Sequence, residues 1–252
     1  MSAIAMPAGR VWGAYLKEAR YESTRMLRTP AFGVPFLVLP IAIYLFVVLV
    51  AGKALLDPKV ALYFFTGFSA FGVMGPGMFG FGMAVAMERQ EGVLTLKRAL
   101  PMPPAAYLLG KMLMAALFAT MITMTLIVGG ALLGHVHLSA GRYLIFAVSN
   151  ILGSLPFCAI GLFVGVRATG QSAPAIVNLL YVPMFLIADL WFPLPPSAKW
   201  LSLISPVYYL RELTLAAAGL ADRVPAYVCA AVLAALTIML TSLAVRRLAR
   251  VG

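Results

Sequence analysis

The sequence is poor in charged residues, and acidic residues are the scarcest of them. Of 252 residues only 11% are charged, with 8 acidic side chains against 19 lysines and arginines, whereas 63% are hydrophobic. Soluble domains carry about 25% charged residues. This composition therefore excludes a soluble globular protein and indicates a polytopic membrane protein. The net charge of +11 does not indicate nucleic-acid binding, because the basic residues are scattered between apolar runs.

Cysteine and histidine are also rare, with two of each. Cys158 and Cys229 sit inside apolar runs, which predicts buried thiols and not a disulfide or a metal pair. His135 and His137 have no Cys, Asp or Glu nearby, so we predict a solvated loop and no metal site. The start of the chain lacks the apolar core of a signal peptide, so we expect the N-terminus to be retained.

Long runs without charge are abundant and predict six membrane spans in a single transmembrane domain, residues 1–252. A span must cross about 30 Å of hydrocarbon, which takes roughly 20 apolar residues in a helix. The predicted spans are 31–51, 60–87, 112–134, 143–166, 173–192 and 225–245. With both termini inside, thirteen lysines and arginines face the cytoplasm and six face outward. The positive-inside rule therefore predicts cytoplasmic termini, and we expect a bacterial inner membrane protein.

The N-terminal segment, residues 1–30, is predicted to be an interfacial helix. Trp12, Tyr15 and Leu16 recur near helical spacing, which leaves the charges mostly on another face. Such a helix lies along the inner leaflet of a membrane. A solvated basic tail is the alternative.

The segment 194–224 is too apolar for a free loop and too broken for a span. We predict two short helices, roughly 198–204 and 207–219, that enter the outer leaflet. Arg211 and Glu212 are expected where water or another chain can satisfy them.

The stretch from Met87 to Lys111 is the main polar interruption of the chain. Its first residue ends a run of 28 uncharged residues, 60–87, and 23 more, 112–134, follow it. An amphipathic segment between two spans should lie on the cytoplasmic face as a short helix, which the prolines at 101, 103 and 104 would end. We interpret residues 88–104 as the surface through which a soluble partner acts on the spans, a loop tied down only by lipid being the alternative. The residues singled out for this contact are Glu88, Arg89, Glu91, Gly92, Leu94 and Leu96.

Within this set, Glu91 is the predicted charged contact, and Leu94 and Leu96 are the predicted apolar anchors. Glu88 and Arg89 could instead fix the short helix to its own spans.

Small residues line one side of the second predicted span. Gly72, Gly75, Gly82 and Ala86 fall on a stripe about 80° wide at 100° per residue. A stripe of this kind lets another helix approach closely. It predicts a tight packing seam, with a flexible gate as the alternative.

Two polar residues in the fifth predicted span could line a pathway. Asn178 and Asp189 are eleven residues apart, which places them within about 20° of each other on a helix. Polar groups at this depth normally face the bundle interior or water. A structural cap is an equally good interpretation of Asp189.

The segment Gly165–Ser172 nearly matches the phosphate loop GxxxxGK[ST]. It has Gln171 at the position of the phosphate-binding lysine, and it joins two predicted spans where a phosphate loop joins a strand to a helix. We therefore predict that this chain does not bind ATP there.

Several short motifs follow one another along the chain. They are Arg28-Thr29-Pro30, the run Glu88-Arg89-Gln90-Glu91-Gly92-Val93-Leu94 followed by Pro101, Phe192-Pro193, and Ser205-Pro206 before Tyr208-Tyr209 and Arg211. Their order and placement resemble the permease subunit of a type-two ABC transporter, the exporter family that moves drugs, lipids and polysaccharides. Ala188-Asp189 departs from the Ser-Gly that is usual in the family.

The resemblance implies that residues 88–104 contain the coupling helix, which docks into a separate ABC ATPase subunit, and that residues 194–224 are re-entrant on the outer side. ATP and Mg²⁺ would be bound by that partner, so this chain itself would need no cofactor and catalyse no reaction. Two copies would form the path, and we expect a homodimer, although a different paired permease would serve equally well. The alternative function is a self-sufficient channel or secondary transporter, which usually shows ionisable residues in mid-membrane.

Overall fold

The computed structural model describes residues 8–51, 57–99, 104–191, 194–220 and 223–251, and every regular element in these ranges is a helix. The expected Phe192-Pro193 motif and the prolines at 101 and 103 lie outside the described residues. The helices are α1 (Ala8–Leu27), α2 (Pro30–Ala51), α3 (Pro58–Gln90), α4 (Val93–Ala99), α5 (Pro104–Leu132), α6 (Ala140–Gly153), α7 (Leu155–Gly165), α8 (Ala173–Leu186), a 3₁₀-helix (Pro196–Ile204), α9 (Pro206–Ala218) and α10 (Ala226–Val251).

Five stretches of the described residues are long and apolar enough to cross a membrane. They are Gly33–Val50, Pro58–Gln90, Ala106–Leu132, Ala140–Gly165 and Ala226–Leu248. Each coincides with one of the predicted spans, so an all-helical, multi-pass chain is confirmed. The fifth predicted span, 173–192, is not confirmed. Its helix α8 has 14 residues, which is about 21 Å at 1.5 Å per residue and less than the hydrocarbon core.

Proline and capping residues explain where the central helices begin and break. Asp57 caps α3 by accepting a hydrogen bond from the Lys59 backbone N–H at 2.8 Å, and Pro58 occupies the first turn. The fourth predicted span divides at Ser154 into α6 and α7. Pro156 has no N–H to continue the α6 hydrogen bonds but fits the first turn of a new helix, so the predicted interruption is found there.

Helix α3 forms the centre of the bundle. Within Pro58–Gln90, 83% of the 18 consecutive residues that are most apolar are buried. The corresponding fraction is 22% for Gly33–Val50 and 17% for Ala226–Leu248. α3 packs against α2, α5, α7, α8 and α9. α2 and α10 instead expose most of their apolar side chains, as helices that face hydrocarbon do. Two ends of the bundle are named below by the helix they carry, the α4 end and the α9 end.

The glycines of the predicted stripe pack against several helices and not along one seam. A Cβ atom added to Gly72 would lie 2.7 Å from Ile122 of α5 and 3.2 Å from Pro40 of α2. At Gly75 the nearest atom is a ring carbon of Phe36, at 2.6 Å, so the two stripe glycines admit neighbouring side chains.

The backbones of α3 and α7 also approach each other closely, and part of this contact comes from glycines that the stripe does not include. A Cβ atom on Gly161 of α7 would lie 2.7 Å from the Met78 carbonyl oxygen and 2.8 Å from that of Gly77. Gly82, which is in the stripe, lies at the same contact. A Cβ atom added to Gly82 would lie 3.2 Å from the Gly161 carbonyl oxygen. These small residues let α3 and α7 touch through main-chain atoms.

Substitution of three glycines by alanine should therefore give a graded effect. Gly161→Ala meets backbone atoms that cannot rotate away, and we expect a loss of about 1–3 kcal/mol of stability. Gly75→Ala meets the Phe36 ring, which can shift, and the Tyr181 hydroxyl at an ordinary contact distance of 3.7 Å, so its loss should be smaller. Gly141→Ala, in α6, meets nothing within 4 Å and should be neutral or slightly stabilising.

The measurement is the unfolding temperature of the three purified variants in one detergent. Equal unfolding temperatures for Gly161→Ala and Gly141→Ala would show that α3 and α7 are not in main-chain contact.

Candidate functional site

The end of α3 and the short helix α4 form the candidate site. α3 ends at Gln90, and Glu91 and Gly92 make the turn into α4, Val93–Ala99. Gly92 has a φ of 75°, a left-handed conformation that favours glycine. A short helix thus stands where the sequence predicts one, and its role in coupling stays a prediction.

Three fully buried acidic and basic side chains meet next to α4. The Lys111 Nζ atom lies 3.0 Å from the Glu22 Oε2 atom and 3.0 Å from the Glu88 Oε1 atom. All three side chains are inaccessible to solvent. Arg25 adds a second cation, since its guanidinium donates a hydrogen bond to Glu88. These contacts join α1, α3 and α5.

Lys97 connects α4 to the same group of charges. Its Nζ atom lies 2.6 Å from the Glu18 Oε1 atom and 2.9 Å from the Glu22 Oε1 atom. Burial alone lowers the pKa of Lys97, but the hydrogen bonds to the two glutamates outweigh it, so the pKa lies above its ordinary value. Lys97 therefore remains charged at neutral pH and holds α4 against α1.

Tyr107 completes the polar contacts of the cluster. Its hydroxyl donates a hydrogen bond to the Glu88 Oε2 atom at 2.7 Å. The ammonium groups of Lys97 and Lys111 lie 4.8 Å and 5.1 Å from the centre of the Tyr107 ring, within the range of cation–π attraction. Both oxygens of Glu88 are thus engaged.

The charges of this ionic cluster balance. Its members are Glu18, Glu22, Glu88, Arg25, Lys97 and Lys111. Three acids face three bases, so the cluster carries no net charge. Removing one partner of a buried ion pair leaves an uncompensated charge and costs about 3–5 kcal/mol. The cluster therefore fastens α1, α3, α4 and α5 together at the α4 end.

A second set of contacts fastens the turn between α7 and α8 to the end of α3. Arg89 donates to the Ala168 carbonyl oxygen at 2.6 Å and also to the Val166 carbonyl oxygen. The side-chain oxygen of Gln90 accepts a hydrogen bond from the Gly170 N–H at 2.8 Å. Arg89 thus satisfies carbonyl groups left free at the end of α7.

The same contacts explain the segment that resembles a phosphate loop. Residues 166–172 form a turn between two apolar helices, and no strand precedes them in the described part of the chain. Their backbone is held by the end of α3. Within the described residues, no group of three His, Cys, Asp or Glu side chains could hold a metal ion.

The six residues predicted to contact a partner fall into two groups. Glu88 is fully buried in the ionic cluster, and Leu94 is 9% exposed in an apolar cluster with Phe81 and Tyr107. Both side chains support α4 from within the chain. Leu94 therefore leaves little surface for a partner, and its predicted role as an apolar anchor stays a prediction. Glu91 is exposed, and Leu96 is 70% exposed. These two side chains form the free tip of the segment.

The sequence interpretation did not identify Glu18, Glu22, Tyr107 and Lys111 as part of this site. Their partners are 19 to 89 residues away, so no local spacing connects them. One signal was available, because Glu18 and Glu22 are among only 8 acidic residues in the chain.

The prediction that Asn178 and Asp189 share a helix face is wrong. α8 ends at Leu186, and Asp189 lies in the following turn with a φ of 58°. Asn178 is exposed on α8, whereas Asp189 is fully buried. Of the two interpretations of Asp189, its contacts support the structural cap.

Asp189 belongs to a cluster of charged residues at the α9 end. Its Oδ1 atom accepts the Leu194 N–H at 2.9 Å, and its Oδ2 atom lies 2.7 Å from the Arg223 guanidinium. The Arg223 N–H donates to the Glu212 Oε2 atom at 3.0 Å.

Arg211 and Glu212 are inside this cluster, which corrects the expectation that water or another chain satisfies them. Both are about 1% exposed, and the Arg211 guanidinium lies 3.2 Å from the Glu212 Oε1 atom. The guanidinium also stacks on Tyr63 of α3, 4.2 Å from the ring centre. They are carried by α9, and the 3₁₀-helix with α9 matches the two predicted short helices.

Comparison with known proteins places this arrangement in a recognised group. The model of a family described as ABC-2 type transporter matches residues 18–218, which extend from α1 through α9. A Bacillus subtilis (strain 168) protein that bears the name "Putative transport permease YvfS" is 26% identical over 178 residues. That alignment covers 70% of this chain and 73% of the other protein.

Breaking the ionic cluster should destabilise the chain more than removing an exposed charge near it. Lys111→Met leaves Glu22 and Glu88 facing each other without their shared cation, and we expect the unfolding temperature to fall on the order of 10 °C. Glu91→Gln is the matched control, because Glu91 is exposed and should change little.

A double variant tests the coupling between the charges. Lys111→Met with Glu22→Gln restores neutrality and should cost clearly less than the sum of the two single changes. Additive losses in the unfolding temperature would show that the buried charges do not act as one network.

Proposed function

Because this chain belongs to the ABC-2 type transporter family, we propose that it is the membrane-spanning permease subunit of an ATP-driven exporter. Members of this family are components of transport systems, so the chain is a membrane transport permease. Permeases of this family are generally not catalytic themselves. In the proposal a separate ABC ATPase binds ATP and Mg²⁺ and hydrolyses the nucleotide. Closure of the ATPase then drives the permease between two membrane states, because the two states bind the ATP-bound partner differently.

The observation that carries the proposal is the combination of a free tip and a fixed base in one short segment. Glu91 and Leu96 are exposed, while Lys97, one residue further, is held by Glu18 and Glu22. A contact made at the tip would therefore act on α1, α3 and α5 together. Arg89 would pass the same movement to the turn between α7 and α8. This is the arrangement that a coupling helix requires.

The orientation of the proposal follows from charge. We place the α4 end in the cytoplasm of a bacterium, with both termini inside and the protein in the inner membrane, because lysines and arginines accumulate on this side. The α9 end would then face outward, with the 3₁₀-helix and α9 as the outer segment. The exposed Trp200 of the 3₁₀-helix fits a position at a membrane interface, which tryptophan favours on either side.

A second copy of the chain would complete the path. Asn178 is an exposed amide on α8, flanked by the exposed apolar residues Val182 and Leu179. An amide that faced lipid would lack hydrogen-bond partners, so a polar path or a partner subunit suits it better. α8 is also shorter than a membrane is thick, which favours burial against another chain. We therefore propose a dimer, a homodimer in the simplest case, with Asn178 towards its interface.

Substitutions at the tip should uncouple the permease from its ATPase without unfolding it. Leu96→Ala removes an exposed apolar side chain that the proposal places at the centre of the contact, and we expect about thirtyfold weaker capture of the ATPase, equivalent to about 2 kcal/mol. Glu91→Arg reverses a charge and should also weaken capture and stimulated ATP hydrolysis. The matched control is Leu132→Ala, at the opposite end of α5, where Leu132 is 76% exposed.

The measurement is co-purification of the co-expressed ABC ATPase, together with transport, at equal membrane abundance of each variant. Wild-type capture and transport with both tip variants would contradict the coupling assignment. Transport that proceeds without any ATPase would instead support a self-sufficient channel or secondary transporter.

Single cysteines should report the orientation. In a background that lacks Cys158 and Cys229, a cysteine at the exposed His137 should react with an impermeant thiol reagent added to intact cells. Cysteines at Gln90 and Gln171 should react only after the membrane is opened. Labelling of Gln90→Cys in intact cells would reverse the orientation and remove the ATPase from the α4 end.

A further inference from the structure

The C-terminal half of α10 borders a groove that no part of the described chain fills. The groove is an open surface depression of about 520 Å³ along α10, next to the beginning of α5. This volume falls within the range of about 300–1,000 Å³ that is usual for ligand sites. Its lining includes Met112, Ile238, Val245, Thr241, Ser242 and Arg246.

The groove exists because α10 packs on one side only. α10 rests on α7 and α9, where Ala244 is buried beside Leu162 and Val166. On the side of α5 the apolar side chains remain open, and Ile238 is 71% exposed. An apolar chain laid along the groove would therefore bridge α5 and α10.

The α4 end of this groove carries a group of arginines without acids. Arg246 and Arg247 are exposed, and Arg167 lies at the end of the neighbouring α7. Burial and the nearby positive charge of Arg247 both lower the pKa of Arg167. Among the described residues none of the three arginines forms an ion pair.

Few acids of this chain lie at this end to neutralise them. The sequence contains no Asp or Glu between residues 92 and 188 or between residues 223 and 252, so α4 through α8 and α10 have none. Three of the four glutamates at the α4 end are already paired in the ionic cluster. The fourth, Glu91, is exposed and forms no ion pair with these arginines among the described residues. An anion from outside the chain can therefore supply their counter-charge.

We propose that an anionic phospholipid of the leaflet at the α4 end binds in this groove. An acyl chain would lie against Met112, Ile238 and Val245, and the phosphate would sit near Arg246 and Arg247. An acyl chain beside an anion matches an apolar groove that ends at arginines, whereas an acidic protein surface would leave the groove unfilled. The proposal rests on the proposed orientation only in naming the leaflet as the cytoplasmic one.

The test compares lipids of equal chain length and different charge. The purified full-length chain in detergent is titrated with dioleoyl phosphatidylglycerol or dioleoyl phosphatidylcholine, and its unfolding temperature is measured. We expect phosphatidylglycerol to raise the unfolding temperature by about 5 °C more than phosphatidylcholine, as a ligand at a hundredfold excess over its Kd would. Native mass spectrometry should show the retained phosphatidylglycerol.

Two variants locate the effect. Arg246→Gln with Arg247→Gln should abolish the difference between the lipids, while Ser242→Trp should abolish it by filling the groove and keeping both arginines. The matched control is Lys17→Gln with Arg20→Gln, which removes two exposed charges from α1. This control should keep the full difference, because α1 carries no part of the groove.

Several results would overturn the site. Equal stabilisation by both lipids, or equal loss in the Lys17 and Arg20 control, would show bulk lipid effects only. The same stabilisation by soluble glycerol 3-phosphate would indicate a phosphate site without a lipid chain. If the arginine variant lost ATPase capture and kept the lipid difference, the arginines would belong to the ATPase contact. Failure of the Leu96 and Glu91 test alone would leave the lipid site standing, so the two proposals fail separately.

Discussion

The structure depends on a buried lysine held between two buried glutamates. Lys111 reaches Glu22 of α1 and Glu88 of α3 at 3.0 Å each, in a chain whose interior is mostly apolar. Ions of one sign could not stay in such surroundings, since each would lack the water that stabilises its charge. The balance of charges within the ionic cluster makes their burial tolerable. It also makes the cluster rigid, because no side chain can leave without leaving its partner unpaired. The cluster therefore holds α1, α3, α4 and α5 in a fixed arrangement at the α4 end.

Charge is handled in the same way at the α9 end and differently along α10. Asp189 and Glu212 are paired with Arg223 and Arg211, so that the segment before α10 closes over the end of α3. The arginines at the end of α10 are exposed and have no such partners in the described chain. Internal pairing thus fixes the two ends of the bundle, and the unpaired positive charge is left where an external anion can reach it.

The sequence predicted those features that depend on neighbouring residues. The Pro156 interruption, the short helix after α3 and the two helices before α10 follow from local proline, glycine and charge patterns. The end of α8 does not, because the turn at Asp189 is held by Tyr63 and Arg223, which are 126 and 34 residues away. The glycine stripe predicted the α3 side of the contact with α7. It could not predict Gly161, which faces it from α7 and lies in a separate part of the sequence. Contacts between residues on different helices are fixed by tertiary packing and produce no periodic pattern in the sequence.

α3 is the element that connects the two ends. It has 33 residues, about 50 Å at 1.5 Å per residue, and it carries Glu88 at one end and Tyr63 at the other. Its main-chain contact with α7 at Gly161 leaves little space for α3 to slide along α7. A displacement imposed beside Glu91 would therefore reach the charged cluster around Tyr63 as movement of the whole helix with α7. Pro76, which lacks an N–H for the helical ladder, is the point at which α3 could bend instead.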